Sequence, residues 1–88
     1  MTTLKNPVRE MRESLNLDVK EFAEQAGVTV GTLRMVEGGA YLQLSQLLVN
    51  RLTSTLPDVD PEHLKKEYSA WHRQMEAERQ QRSQRRNR

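Results

Sequence analysis

Apolar residues recur at helical spacing over the first 56 residues of the chain, and turn-forming residues interrupt them. The first recurrence, at i, i+3 and i+7, places three residues on one helix face: Val8, Met11 and Leu15. Asn6 and Pro7 precede it as an N-cap followed by proline at the first helical position, where the missing N–H is no loss. Asn16 can adopt the left-handed conformation that ends a helix. The pattern predicts a first helix between Pro7 and Leu15.

Two short helices separated by a tight turn are predicted next. Asp18 and Glu21 have the spacing of a capping box, and Gly27 is expected to end the second helix. Thr29 can cap a third helix that runs to about residue 36, where Gly38-Gly39 forces its end. The inward positions are apolar: Phe22, Ala23, Ala26, Leu33 and Val36. Two helices that cross steeply through such a turn leave one side of the second helix exposed, and an exposed helix of this kind fits a DNA major groove.

The pattern then predicts a fourth helix, a linker and a C-terminal helix. The fourth helix is expected to open near Ser45, and four leucines close the core: Leu44, Leu47, Leu48 and Leu52. Residues 57–61 form a linker, in which Asp60-Pro61 repeats the cap-plus-proline start. An apolar seam over about two heptads follows: Leu64, Tyr68, Trp71 and Met75. Either the body of the same chain or a second copy must cover this seam, and both alternatives remain open.

Composition limits the class of protein. With 88 residues the chain forms one domain with a modest core, and without cysteine it holds neither disulfides nor a thiolate zinc site. No apolar run approaches the roughly 20 residues that span a bilayer, and residues 1–10 lack the apolar segment of a secretory signal. We therefore expect a cytoplasmic protein.

Charge divides the chain into an acidic body and a basic tail. Residues 1–78 hold nine Lys/Arg and twelve Asp/Glu, a net charge of −3, whereas residues 79–88 hold five Arg and no acid. The tail is expected to be disordered when free. It is either a solubilising end or a segment that attracts phosphates, because each neutralised phosphate releases counterions. The expected phosphate contacts are Arg79, Arg82, Arg85 and Arg86.

Enzymatic chemistry finds no support in the sequence. His63 and His72 are nine residues apart, so about 900° of helical rotation places them on opposite sides of one helix, without a third ligand nearby. We expect both histidines to be solvated and no metal or other cofactor to be bound. Ser45 and Ser69 have no base and acid at a recognisable catalytic spacing.

The segment VREMRESLNLDVKEFAEQAGVTVGTLRMVEGG resembles the lambda-repressor/Cro-like helix-turn-helix family, also called the XRE family, over about residues 7–56. The segments LNL and EFAEQAGVT, Thr32-Leu33 and the Glu-x-Gly at 37–39 carry the resemblance. It implies an all-α, compact bundle of four to five helices, here with a C-terminal amphipathic helix and a basic tail. It also implies a homodimer on an inverted-repeat operator and a structural ion pair between Arg12 and Glu37.

The same resemblance implies which residues face double-stranded DNA, and this chain departs from the family there. Val19 stands where members commonly have a phosphate-holding Gln, and the loop GGAYLQ lacks their Lys or Arg. Arg34 alone can fork onto guanine. The DNA-contacting residues that the resemblance implies are Lys20, Thr29, Val30, Gly31, Thr32, Arg34, Met35 and Gly38. Lys5, Arg9 and Arg51 stay open as phosphate partners.

We therefore expect three segments: a helix-turn-helix DNA-binding domain (1–57), a C-terminal amphipathic helix (58–78) and the tail (79–88). The expected function is sequence-specific transcriptional regulation, by family habit repression in a phage or mobile element, in a bacterial cytoplasm or a phage-infected host. The alternative is a protein-interaction module or antitoxin that binds a protein partner through the C-terminal helix.

Overall fold

Five α-helices form the chain between residues 5 and 86, the part of the backbone that the computed structural model describes; side chains are described from residue 5 to residue 80. They are α1 Pro7–Ser14, α2 Val19–Ala26, α3 Val30–Gly38, α4 Gln46–Thr53 and α5 Pro61–Arg86. No strand occurs within residues 5–86, so the predicted all-α bundle is confirmed. No helix in this range combines the length and the apolar character that crossing a membrane requires.

Helix starts follow the local polar chemistry of the sequence. At each start a side-chain oxygen accepts a backbone N–H of its own helix, which satisfies an amide that the helix itself leaves unpaired. The residues that do so are Asn6, Asp18, Thr29, Ser45 and Asp60. The capping box is complete, because the Glu21 carboxylate also accepts the Asp18 N–H at 3.1 Å.

The turns that follow α1, α2 and α3 use the left-handed conformation, as the sequence predicts, whereas α4 ends at Ser54 in the right-handed conformation. Asn16 has φ 57°, Gly27 φ 72° and Gly39 φ 79°. At the two glycines an L side chain would be strained, so the backbone itself requires them. These turns fold α2 back onto α3 and send the chain from α3 into the loop that precedes α4.

One core joins all five helices. Val8, Phe22 and Leu33 lie in it together with Leu64 and Tyr68 of α5. The body of the same chain therefore covers the seam of the C-terminal helix. A second copy is not needed to bury Leu64 and Tyr68. Trp71 keeps only 9% of its surface exposed, and Met75 packs against the same cluster.

Two leucines that were predicted to lie on inward helix faces are exposed to solvent. Leu47 is 63% exposed, and Val49 is fully buried in its place. The packing of the neighbouring helices sets the inward face of α4, which passes through Val49 and Leu52, three residues apart. Leu15 is the C-cap of α1 rather than a helical residue, and it is 39% exposed.

The last helix is longer than the sequence pattern predicts. We expected it to end near residue 78 and the tail to be disordered, but α5 continues to Arg86. Apolar periodicity ends at Ala77. Arg, Gln and Glu are good helix formers, and residues 78–86 contain neither glycine nor proline, so their helix propensity favours the longer helix.

Candidate nucleic-acid interface

An ion pair holds α3 to α1. Arg12 Nε lies 2.9 Å from Glu37 Oε2 and Nη2 lies 3.0 Å from Oε1, while Nη1 donates to Leu17 O at 2.9 Å. The two side chains keep only 14% and 10% of their surface exposed. The hydrogen bonds to Glu37 raise the pKa of Arg12 further above its ordinary value. The predicted structural pair is confirmed, and it fixes the C-terminal turn of α3 and the loop after α1 at one point.

Asn6 adds a second connection that sequence reasoning missed. Its Oδ1 caps α1, while its Nδ2 donates to Val36 O at 3.0 Å and to Glu37 O at 3.1 Å. Those carbonyls belong to the last turn of α3, where no amide four residues ahead continues the helix, and Val36 O also accepts the Gly39 N–H at 3.3 Å. One buried amide thus serves the start of α1 and the end of α3 together.

Helix α5 also holds the backbone that follows α3. His72 Nε2 lies 3.0 Å from Gly39 O, and the Tyr68 hydroxyl donates to Tyr41 O at 2.8 Å. Burial raises the pKa of the Tyr68 hydroxyl above its ordinary value. His72 is only 6% exposed, so the expectation that it is solvated was wrong.

The outward face of α3 is formed by four residues spaced i, i+3, i+4 and i+7, which is one side of a helix: Gly31, Arg34, Met35 and Gly38. All four are exposed. Arg34 has no hydrogen-bond or ion-pair partner among the side chains described. Met35 is 47% exposed, and its sulfur lies 4.0 Å from the Tyr41 hydroxyl. The Arg34 guanidinium thus faces solvent, and the two residues that flank it along this face, Gly31 and Gly38, have no side chain.

At the N-terminus of α3, two hydroxyls are tied to each other. Thr29 Oγ1 accepts Thr32 N–H at 3.0 Å and donates to Thr32 Oγ1 at 2.8 Å. Val30 is half-buried and packs against the core, so little of it is free to meet a base. Thr29 and Gly31 are exposed here, as predicted for contact positions.

The N-terminus of α2 is occupied by its own acids. Asp18 and Glu21 complete the capping box, which places two carboxylates where a phosphate would approach. Val19, in the position of the family's Gln, is half-buried against the core. Lys20 alone adds an exposed positive charge here. The two carboxylates therefore disfavour a phosphate contact at this end of α2.

Several of the other cations already have partners. Arg51 Nη1 donates to Gly27 O at 2.9 Å, which ties α4 to the turn between α2 and α3. Arg9 pairs with Glu13 at 3.4 Å and Arg79 with Glu76 at 3.5 Å, both at the surface. Lys5 is exposed. Of the tail arginines expected to contact phosphate, Arg82, Arg85 and Arg86 have side chains outside the described residues, and all these contacts stay predictions.

Residues 5–80 hold no group of three or more His, Cys, Asp or Glu side chains that could bind a metal ion. His63 pairs with Glu67 at 2.8 Å instead. His72 contacts the backbone of the loop after α3. His63 and His72 thus contact different parts of the chain, as expected for residues on opposite sides of one helix.

The glycines of the outward face give a test that separates stability from binding. An added Cβ would meet nothing within 4 Å at Gly38, and at Gly31 only Thr29 Oγ1 at 3.9 Å. The fold does not require either glycine. Gly31→Ala and Gly38→Ala should each stabilise the protein by up to about 1 kcal/mol, because alanine has the higher helix propensity. Thermal unfolding measures this, and Gly27→Ala, at positive φ, is the control that should destabilise.

The same alanines should weaken DNA binding if the outward face approaches DNA closely. We expect about a tenfold loss on a preferred duplex, the size of one impaired base contact. Unchanged affinity in both stabilised variants would mean that DNA does not approach α3 at these positions.

The comparisons with known proteins agree with this geometry. Residues 8–64, well over half of the chain, match the model of a helix-turn-helix family of the lambda-repressor-like, or XRE, type. The match runs from the second residue of α1 to the first turn of α5, so the resemblance over about residues 7–56 is confirmed. Searches of curated proteins and of solved structures returned no match. The chain therefore belongs to the lambda-repressor-like (XRE) family of helix-turn-helix DNA-binding regulators.

Proposed function

We propose that this chain is a sequence-specific transcriptional regulator that places the outward face of α3 in the major groove of double-stranded DNA. The observation that carries the proposal is the exposed Arg34, which lies between Gly31 and Gly38 and has no hydrogen-bond or ion-pair partner among the side chains described. Asn6, Arg12 and His72 hold the end of this helix and the residue that follows it. By family habit, we further propose repression of a phage or mobile-element operator by a homodimer, in the bacterial cytoplasm or a phage-infected host.

The dimensions and chemistry of the face support this proposal. A B-DNA major groove is about 12 Å wide and admits one α-helix. Arg34 offers the planar fork that matches guanine O6 and N7, and Met35 offers an apolar surface for a thymine methyl. Gly31 and Gly38 have no side chain, so the helix backbone can come closer to the base edges at these two positions. Arg34 is thus expected to read guanine, with Met35 and the threonine hydroxyls adding smaller preferences.

Selection from a pool of random duplex DNA tests the proposal. The full chain should enrich one short motif that contains guanine. Its affinity for the enriched duplex should exceed that for scrambled duplex by about a thousandfold, the lower range for specific DNA-binding proteins. Recovery of unenriched DNA after repeated rounds, or equal affinity for both duplexes, would contradict sequence-specific reading.

The arginine tail is proposed to provide affinity without sequence preference. A body with net charge −3 gains little from phosphate contacts, whereas residues 79–88 carry five positive charges. A chain ending at Glu78 should keep its preferred motif, while the slope of log affinity against log salt should fall by about 2–4, or about 0.9 per lost phosphate contact. Titrations at several salt concentrations measure this slope. An unchanged slope would exclude the tail from the interface.

The alternative of a protein-interaction module or antitoxin loses its expected docking element. Leu64, Tyr68 and Trp71 are buried within the chain and cannot also hold a partner. Such a partner would have to displace α5 from the core or bind another surface.

A further inference from the structure

Two side chains of α5 bind the loop that leads from α3 to α4. The Tyr68 hydroxyl donates to Tyr41 O at 2.8 Å, and His72 Nε2 lies 3.0 Å from Gly39 O. Tyr68 and His72 are four residues apart and so share one face of α5. Both lie beyond residue 64, where the match to the family model ends. These contacts therefore belong to a part of the chain that the family model does not cover.

The same loop has few other backbone hydrogen bonds. Ala40 N–H donates to Met35 O at 2.9 Å. In the described part of the chain, none of the amides of residues 41–44 donates to a backbone carbonyl. Within the same range, no backbone amide donates to Gly39 O or Tyr41 O. The two bonds from α5 thus satisfy carbonyls that the backbone leaves unpaired.

Helix α5 also packs tightly against Gly39. A Cβ added at this position would lie 2.6 Å from Met75 Cε and 3.0 Å from Trp71 Cη2, closer than side chains normally pack. The chain therefore requires glycine here for two reasons, the positive φ of 79° and the approach of α5. The residue directly after α3 has no room to shift toward α5.

The loop reaches the outward face of α3 through Tyr41. Its hydroxyl lies 4.0 Å from Met35 Sδ, and its carbonyl accepts from Tyr68. We infer that Tyr68 and His72 are positioning residues for the outward face of α3. Through the two carbonyls they fix the end of α3 and the Tyr41 ring, and with them the geometry in which Arg34 and Met35 meet base edges. This inference rests on the proposed function.

A small displacement of the loop is expected to impair reading before it unfolds the domain. Binding groups must be held within about 0.5 Å of their productive geometry. One hydrogen bond, in contrast, contributes only a small part of the stability of a domain. Loss of either donor from α5 should therefore leave a folded chain that discriminates poorly between DNA sequences.

The surroundings of His72 select which ring nitrogen carries the proton. A carbonyl oxygen can only accept, so Nε2 must donate to Gly39 O. Nδ1 is buried and has no hydrogen-bond partner among the described residues, so a proton there would be an unpaired buried donor. Long-range ¹H–¹⁵N spectra of the free chain at about pH 8, where an ordinary histidine is uncharged, should show the Nε2–H tautomer. The Nδ1–H tautomer would overturn the role of His72.

Removal of single donors tests the inference on DNA. Tyr68→Phe deletes only the hydroxyl, and His72→Leu deletes the donor to Gly39 O. Each should lower the ratio between the affinities for the selected and the scrambled duplex by about tenfold, the size of one impaired base contact. His72→Gln should keep the ratio within about twofold of the parent chain, because its side-chain amide can donate to the same carbonyl.

Thr53→Val is the matched control for the loss of a buried hydroxyl. Thr53 is 7% exposed, and its hydroxyl donates to Val49 O at 2.9 Å, within α4 and not to the loop. This variant should lower the unfolding temperature about as much as Tyr68→Phe and leave the affinity ratio unchanged. An unchanged ratio in Tyr68→Phe and His72→Leu, or a His72→Gln variant as impaired as His72→Leu, would overturn the inference.

Amide spectra of the free chain report on positioning without DNA. Tyr68→Phe and His72→Leu should shift the amides of residues 35–41 more than Thr53→Val does, and equal shifts in all three variants would overturn the inference. If the expected shifts occur and the parent chain selects no DNA motif, the proposed function is wrong, whereas the positioning of α3 by α5 stands. Motif selection with an unchanged ratio gives the reverse result.

Discussion

Replacing Arg12 by methionine is expected to lower the free energy of unfolding by about 3 kcal/mol, the largest change of stability that we predict for a single side chain. The substitution leaves the Glu37 carboxylate, 10% exposed, without its two hydrogen bonds, and it removes the donor to Leu17 O. A buried charge that loses its partner costs about 3–5 kcal/mol. We expect the low end because the Glu37 carboxylate that is left keeps 10% of its surface in water. Urea unfolding of the full chain measures the difference.

Arg9→Met is the matched control, on the same helix and with the same change of side chain. The Arg9–Glu13 pair is 3.4 Å long, and its side chains are 62% and 48% exposed. Such surface pairs contribute at most about 0.5 kcal/mol. Arg12→Met with Glu37→Leu should recover part of the loss, because the double variant leaves no unpaired charge. Equal effects of Arg9→Met and Arg12→Met would contradict the structural role of the Arg12–Glu37 pair.

Replacing Arg34 by lysine is expected to weaken binding to the selected duplex by about 1–3 kcal/mol, or roughly 5- to 150-fold. Lysine keeps the positive charge and loses the planar fork, so the loss measures bidentate reading rather than charge. Binding to scrambled duplex should change little. Arg34→Ala should lower both affinities, because it also removes a charge that the phosphates attract. Competition titrations with the two duplexes at constant salt separate the two effects.

Lys66→Ala serves as the control for charge alone, because this exposed residue of α5 lies in the sequence well away from α3. It should leave the ratio between specific and scrambled affinity unchanged. The ratio is the decisive quantity: if Arg34→Lys preserves it, another side chain reads the bases, and the assignment of Arg34 is wrong.

The helix starts could be predicted from the sequence because capping is local. Asn6, Asp18 and Thr29 each bond amides two or three residues ahead, and such spacing is visible in a single sequence. The helix ends at Asn16 and Gly27 could be predicted equally well, since few residue types tolerate positive φ.

The register of α4 and the length of α5 were harder to predict from the sequence. Leu44, Leu47, Leu48 and Leu52 also satisfy a helical spacing, and only the packing of the neighbouring helices selects Val49 instead. In α5 the apolar pattern ends at Ala77, whereas the helix continues to Arg86 through residues of good helix propensity. Apolar periodicity therefore predicts the buried part of this helix and not its end.

At the candidate site, contacts between distant residues escaped the sequence reasoning. Asn6 bonds carbonyls 30 and 31 residues away, and no local signal reveals this second role of an N-cap residue. His72 had a signal that went unused, because it lies four residues after Tyr68 and so shares its buried face. The Arg12–Glu37 pair was available only through the family resemblance.

The most direct test of the central claim is a two-dimensional amide NMR titration of the full chain with the selected duplex. We predict that the largest shift changes fall within residues 29–38, and that a duplex with the motif guanine replaced reduces them at Arg34 and its neighbours. Changes confined to the C-terminal arginines and identical for both duplexes would contradict the account, because DNA would then bind the chain without α3.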